Sequence, residues 1–320
     1  MGLPRLARGL NSRKVLILMF HGLTDCEHNG VENFDRKHLA VDGFERLLRH
    51  LSTFHHIVPL EAAVDFFAGK RSLPPSPVVI TFDDGLASNY TLAYPLLRKY
   101  KAPAAIFLAT EFVHNKRWLP MDRIEYAIGH TAHEKCSTTV AGQEVTLSLG
   151  LPSDRLDSLK QVKVLLKNQP QERLGQEVSG LEKALGVSLD LCKSPPAIYR
   201  SLDWAQVREM LASGLVEIGA HTHSHVILSR ARADTVEQEL RHSRQLIEEH
   251  TGRAPRLFCY PNGGLGDYNA ATEQALRQCG FRSALTTVQG LNAQDSPVFE
   301  LRRFAVSGAH EWLYTVRERQ

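Results

Sequence analysis

The chain has 320 residues, of which 43% are hydrophobic and 23% charged, so it is long enough and apolar enough to bury a large core. Its net charge of +3 and its scattered basic residues argue against nucleic-acid binding. Its five cysteines form no Cys-x-x-Cys pair, which argues against a disulfide framework and favours a reducing compartment.

The first apolar run, from Val15 to Phe20, is too short for a secretion signal and ends at His21 and Gly22. No stretch approaches the roughly 18 apolar residues of a membrane span. We therefore predict a buried first strand, and a cytoplasmic protein without a transmembrane segment.

Strand-like and helix-like segments then alternate. "SPVVITFDDG" and "APAAIFLAT" predict buried strands, and "LVEIGAH", "RLFCYP", "RSALTT" and "FELRRFAVSG" predict further ones, with helical periodicity between most of them. Repeated strand–helix units favour a parallel sheet. A count of about seven strands favours a deformed or incomplete (β/α) barrel over an open sheet.

Residues 117–195 have a different pattern, because two amphipathic helices follow each other there without a ligand-like cluster of His, Asp or Cys. We expect residues 1–320 to form one barrel domain, with 117–195 as a helical insertion.

Polar residues lie at the carboxyl ends of the predicted strands, which is where (β/α) barrels have their active-site residues. They are His21, Asp83, Asp84, His221, His225 and Asn262.

The "TFDDG" segment places Asp83 and Asp84 at a strand end, where Asp and Gly are also common in ordinary turns. Two adjacent buried carboxylates are costly unless a cation compensates them. One of them is then able to bind a metal ion while the other accepts a proton.

The "GAHTHSH" segment offers three histidines to a metal ion such as Zn²⁺. A helical turn brings His221 and His225 together, a strand brings His221 and His223 together, and a surface loop requires neither. Two histidines plus an aspartate make a three-ligand site with room for water, which is typical of catalytic zinc.

The "CYPNGG" turn is able to present backbone N–H groups to an oxyanion, although ordinary turns have the same composition.

Together, "TFDDG", "HTHSH" and "FCYPNG" resemble the polysaccharide deacetylase family with the NodB-homology domain, carbohydrate esterase family four. Matching phrases run nearly end to end outside the insertion. The resemblance implies Asp83 as general base, with Asp84, His221 and His225 as metal ligands. It also implies the Asn262 N–H as an oxyanion donor and the Thr222 hydroxyl as the group that fixes the loop, with His223 a spacer.

Two departures from the family pattern stand out. Cys259 occupies the place of an arginine that steadies the catalytic aspartate, and the late Leu-x-His motif of the general acid is missing. Members with circularly shifted strands are more similar to this chain, and by that analogy His21 is the acid, with His310 as the fallback.

We therefore expect a metal-dependent hydrolase that removes an N-acetyl group from an amino-sugar glycan or its precursor. The expected cofactor is one divalent ion, Zn²⁺ before Co²⁺ or Ni²⁺. The alternatives are a hydrolase of a non-sugar amide or cyclic imide, and a glycan-binding pseudoenzyme.

Overall fold

The computed structural model describes residues 14–28, 30–189 and 195–306. Its strands are β1 Leu16–Phe20, β2 Gly22–Thr24, β3 His38–Ala40, β4 His56–Ile57, β5 Pro77–Phe82, β6 Ala104–Leu108, β7 Lys135–Val140, β8 Gln143–Ser148, β9 Val216–Ala220, β10 Leu257–Cys259, β11 Ser283–Leu285 and β12 Phe304–Ala305. Its α-helices are α1 Val41–Phe54, α2 Leu60–Phe67, α3 Tyr94–Tyr100, α4 Thr110–Asn115, α5 Pro120–His130, α6 Pro152–Lys167, α7 Leu174–Ala184, α8 Trp204–Ala212, α9 Ala233–Thr251 and α10 Ala270–Gln278.

The main sheet is parallel and curled, in the order β11-β10-β9-β6-β5-β1-β12, with β4 also paired to β5. Leu301 forms a further parallel bridge to Leu285, and Phe304 pairs with Leu18. The segment 301–305 therefore contacts both edges of the sheet and draws it toward a barrel. The predicted fold class, an incomplete (β/α) barrel of about seven strands, is confirmed.

Alternating side chains divide the strands into an inner and an outer face. Ile17, Val79 and Phe107 point inward, where they pack against apolar residues of α2 beneath the sheet. Phe20 and Phe82 point outward and pack against the surrounding helices. Side chains alternate along β5, so Asp83 lies on the same inner face as Val79 and Thr81. Its side chain therefore points into the barrel at the carboxyl end of β5.

The predicted helical insertion is only partly helical. Helices α5, α6 and α7 share a core with an antiparallel hairpin of β7 and β8. Its turn is Ala141-Gly142, with φ of 52° and 76°, the positive values that a tight hairpin requires. The prediction of a helical insertion did not include this hairpin. At least half of the residues in each strand are exposed and polar, so the apolar periodicity there is weak. The limits of the insertion at 117–195 stay a prediction.

The described residues contain no helix that is long and apolar enough to cross a membrane. Cys26, Cys136, Cys259 and Cys279 are free thiols, and Cys192 lies outside the described residues.

Candidate active site

Two parallel strands, β5 and β9, bring a group of ligand-type side chains to one end of the barrel. The Asp84 Oδ1 lies 3.6 Å from His221 Nε2 and 3.4 Å from His225 Nε2. Asp84 and His221 are buried and His225 is half-buried. No described residue hydrogen-bonds to Asp84 Oδ1, which leaves a buried anionic oxygen facing two imidazole nitrogens. A divalent cation satisfies all three atoms, so the donor set fits a metal ion.

Four residues at this end of the barrel have a left-handed backbone conformation. Asp84, Thr222, His225 and Asn262 have φ of 75°, 62°, 60° and 58°, a region that residues other than glycine enter at a cost. Such strain persists where the surrounding structure holds a residue in place, and it gathers at functional sites.

A hydrogen bond to the backbone of Cys259 sets the orientation of the His221 ring. Its Nδ1 lies 2.8 Å from the Cys259 carbonyl oxygen, which only accepts hydrogen bonds, so Nδ1 carries the proton. Burial lowers the pKa of His221 to about 4, against the opposing charge of Asp83. The ring is therefore neutral at pH 7 and presents the Nε2 lone pair toward Asp84.

Glu239 of α9 holds the histidine loop. Its Oε2 accepts the backbone N–H groups of His223 and Ser224 at 2.8 Å each, and its Oε1 accepts the Ser224 hydroxyl at 2.6 Å. The Thr222 hydroxyl, expected to fix the loop, is buried without a hydrogen-bond partner among the described residues, so that expectation was wrong. Glu239 was missed because it lies 15 residues after Ser224, within a helix that is otherwise amphipathic.

His223 points away from the ligand group. Its Nδ1 lies 2.9 Å from the Thr110 hydroxyl, and its ring stacks on His242 with a centroid separation of 4.0 Å. Of the three alternatives for the loop, the structure brings His221 and His225 together and leaves His223 with other partners.

Asp83 forms a bidentate ion pair with Arg303, which is completely buried. The Arg303 Nη1 and Nη2 donate to Asp83 Oδ1 and Oδ2 at 2.8 Å each. Nη2 also lies 2.9 Å from Cys259 Sγ, and Nε donates to the Thr286 carbonyl at 2.8 Å. The arginine that seemed to be missing at Cys259 therefore enters from the segment 301–305, and the small cysteine side chain leaves room for it.

The two carboxylates are ionised at neutral pH. Burial raises the pKa of Asp83, but the charge and hydrogen bonds of Arg303 outweigh it and leave the pKa below its usual value. Burial also opposes ionisation of Asp84, and the neighbouring His225, His21 and Lys37 hold its pKa well below the usual range.

Asp83, His221 and Cys259 form a second group whose ligand atoms lie close together. It suits a metal less well, because both Asp83 oxygens are already paired with Arg303. Burial also raises the pKa of the Cys259 thiol well above its usual value, so a metal ion would have to displace the thiol proton before the sulfur could bind it.

His21 follows β1 and lies at the same rim, half-buried. Its imidazole contributes to lowering the pKa of both Asp83 and Asp84. Its backbone is fixed because the Asn89 amide donates to the His21 carbonyl at 2.7 Å. His310 lies outside the described residues.

Asn262 sits in a turn whose shape depends on Gly263. Gly263 has a φ of 63°, and a Cβ there would lie 3.0 Å from the Tyr260 carbonyl and the Thr287 nitrogen. The Thr287 hydroxyl donates to the Asn262 carbonyl at 2.7 Å, whereas the Asn262 N–H donates to no described residue. That N–H remains available as a donor.

Comparisons with known proteins identify the family of the chain. Residues 70–284 match the model of the polysaccharide deacetylase family. The putative polysaccharide deacetylase YxkH of Bacillus subtilis (strain 168) is 22% identical over 92% of this chain and 72% of its own length.

Solved structures share the fold. IcaB from Ammonifex degensii aligns with a TM-score of 0.62 at 20% identity, covering 96% of this chain and 97% of its own. The Streptococcus pyogenes deacetylase PplD, in complex with acetate, aligns with a TM-score of 0.62 at 16% identity over 96% and 98%. With a family model that matches about two thirds of its length, this chain belongs to the polysaccharide deacetylase family.

Proposed function

We propose that the chain is a metal-dependent hydrolase that removes an N-acetyl group from an amino-sugar glycan or glycan precursor. The observation that carries this proposal is the pairing of two carboxylates with different partners. Asp84 faces the two imidazoles of His221 and His225, whereas the adjacent Asp83 faces a buried guanidinium. The first arrangement suits metal binding and the second suits proton transfer.

Asp84, His221 and His225 would hold one divalent ion. Two nitrogen donors and one oxygen donor suit Zn²⁺, with Co²⁺ or Ni²⁺ as alternatives. When bound, such an ion supplies a Lewis acid for the acetamide carbonyl and lowers the pKa of water.

Asp83 accepts the proton of the attacking water. A general base must be ionised before the reaction, and Arg303 keeps Asp83 in that state despite complete burial. The two hydrogen bonds from Arg303 also fix the carboxylate plane, so the base meets the water in one orientation.

The Asn262 N–H donates to the carbonyl oxygen as that oxygen gains negative charge. His21 donates a proton to the departing amine, which leaves as the free amino sugar while acetate is released. These two groups lie at the ends of β10 and β1, on either side of the carboxylates in the sheet.

Acetate release tests the proposal. The metal-loaded chain is incubated with N-acetylglucosamine oligomers and, separately, with small cyclic amides and imides. We expect acetate from the oligomers, loss of activity with a chelator, and recovery when metal is restored. Turnover of the cyclic compounds alone would support a non-sugar amidase instead. Oligomer binding without acetate would support a glycan-binding pseudoenzyme.

A further inference from the structure

A second concave feature lies away from the ligand group, between the insertion and the loop after β2. It is an open-sided cavity of about 360 Å³. Val31 and Glu32 form one wall, and His130, Pro152 and Arg155 of the insertion form the other. Its volume lies at the lower end of the range for small-molecule sites, about 300–1,000 Å³.

The cavity walls combine apolar surface with unused polar groups. Glu32 is held in place by His28, whose Nδ1 lies 2.8 Å from Glu32 Oε2, and no described residue hydrogen-bonds to Oε1. Arg155 donates to the carbonyls of Leu149, Ile128, Gly129 and Thr131, which takes four of its five N–H groups. One acceptor and one donor therefore stand beside the exposed ring of Pro152, whereas Val31 is almost completely buried.

This combination suits a sugar ring. A pyranose has apolar C–H faces and an edge of hydroxyl groups that both donate and accept hydrogen bonds. The Pro152 ring would contact one face, while Glu32 and Arg155 would pair with hydroxyls.

The floor of the cavity is linked to the reaction centre by a short series of contacts. Glu125 Oε1 accepts the Tyr199 hydroxyl at 3.1 Å and the Asn33 N–H at 3.0 Å. The Asn33 side chain accepts from the His38 N–H at 2.9 Å and donates to its carbonyl at 3.1 Å. His38 pairs with Gly22, the residue that follows His21.

The insertion is also tied to the reaction centre through Lys37. The Lys37 ammonium pairs with Asp122 of α5, the helix that also carries Glu125 of the cavity. The Lys37 carbonyl accepts the N–H of Gly22, the residue after His21, at 3.3 Å, so the cavity lies only a few residues from the reaction centre.

We propose that this cavity is a binding subsite for a second sugar unit of the glycan, several contacts away from the unit that reacts. The proposal deepens the proposed function, on which it rests for the identity of the ligand. It assigns to the insertion a role in selecting oligomeric over monomeric substrates.

The test compares Pro152→Trp with Leu151→Trp. Both positions are exposed at the start of α6, but only Pro152 lines the cavity, so the first indole fills it and the second serves as the matched control. Binding of N-acetylglucosamine monomer and hexamer to the chelator-treated full chain is measured by calorimetry, which requires no turnover. We expect Pro152→Trp to weaken hexamer binding about tenfold and to leave monomer binding unchanged, with Leu151→Trp like wild type.

A kinetic measurement completes the test. With hexamer, Pro152→Trp should raise KM and leave kcat unchanged, and Glu32→Gln should do the same to a smaller extent. Equal hexamer binding by Pro152→Trp and wild type, equal losses in both tryptophan variants, or no hexamer binding at all would overturn the subsite. Cavity-dependent hexamer binding without acetate release would instead overturn the proposed function and leave the subsite standing.

Discussion

The Arg303 guanidinium donates one hydrogen bond of 2.8 Å to each carboxylate oxygen of Asp83, although the two residues are 220 positions apart. Asp83 lies at the end of β5, and Arg303 comes from the segment that contacts both edges of the sheet. The closure of the barrel and the ionisation of the proposed base therefore depend on the same segment.

Replacement of Arg303 should change both stability and the pH profile. Arg303→Met leaves a buried carboxylate unpaired, which costs about 3–5 kcal/mol of unfolding free energy. Arg303 holds the pKa of Asp83 below its usual value, so the ionised base is lost only as the pH falls through that low value. Without Arg303, burial alone raises the pKa, and the acidic limb of kcat/KM should move to higher pH.

Arg303→Lys keeps the charge but not the two parallel hydrogen bonds, so it should fold and show a smaller shift of the same limb. The exposed neighbour provides a control, since Arg302→Met should leave the acidic limb in place. An acidic limb in Arg303→Lys identical to that of wild type would contradict the role of Arg303.

The two neighbouring histidines should differ in metal binding. His225→Ala removes a nitrogen that faces Asp84, so we expect the purified chain to lose its metal, as measured by inductively coupled plasma mass spectrometry. His223→Ala should keep the metal and lose about 1 kcal/mol of stability with its Thr110 hydrogen bond. If His223→Ala lost the metal and His225→Ala kept it, His223 and not His225 would be the metal ligand.

Glu239 should affect metal affinity without touching the metal. Glu239→Gln leaves one oxygen to serve three donors of the histidine loop, and partners of this kind typically contribute 10–100-fold to metal affinity. Competition with a fluorescent chelator measures the loss. Glu237→Gln on the same helix is the control, because Glu237 is exposed and pairs with Arg241. Equal affinities in the two variants would contradict the assignment.

Glu217 should make stability depend on pH. Burial raises its pKa to about 7, although it accepts the N–H groups of Glu61 and Leu60 at the start of α2. The raised pKa means that the folded state favours protonated Glu217. The stability that Glu217 contributes is therefore fully present below its unfolded-state pKa and is lost as the pH rises through about 7. Chemical denaturation should show a fall of roughly 3 kcal/mol between pH 4.5 and pH 8 that Glu217→Gln lacks. The same slope in that variant would assign the effect to another group.

The sequence was sufficient to locate the strand-end residues, because short-range patterns specify them. "TFDDG" and "GAHTHSH" each combine an apolar strand with polar residues directly after it, and parallel strands place such ends on one edge. The resemblance to the polysaccharide deacetylase family, now confirmed, added the choice of His225 over His223.

Long-range partners were not predictable in the same way. Arg303 lies in "FELRRF", where two consecutive arginines give no sign that one is buried inside the barrel and the other exposed. The alternation of side chains along residues 301–305 decides which of the two arginines is buried. The pairing of Leu301 with Leu285 and of Phe304 with Leu18 sets the register of that segment. The β7–β8 hairpin was missed for a related reason, since its strands bury only part of one face against the insertion helices.

The central claim is that Asp84, His221 and His225 bind one metal ion beside Asp83, which acts as the base. Metal content and acetate release from N-acetylglucosamine oligomers, measured together on wild type and Asp83→Asn, test it most directly. We predict that both proteins bind one equivalent of metal and that only wild type releases acetate. Acetate release by metal-loaded Asp83→Asn at the wild-type rate would contradict the claim.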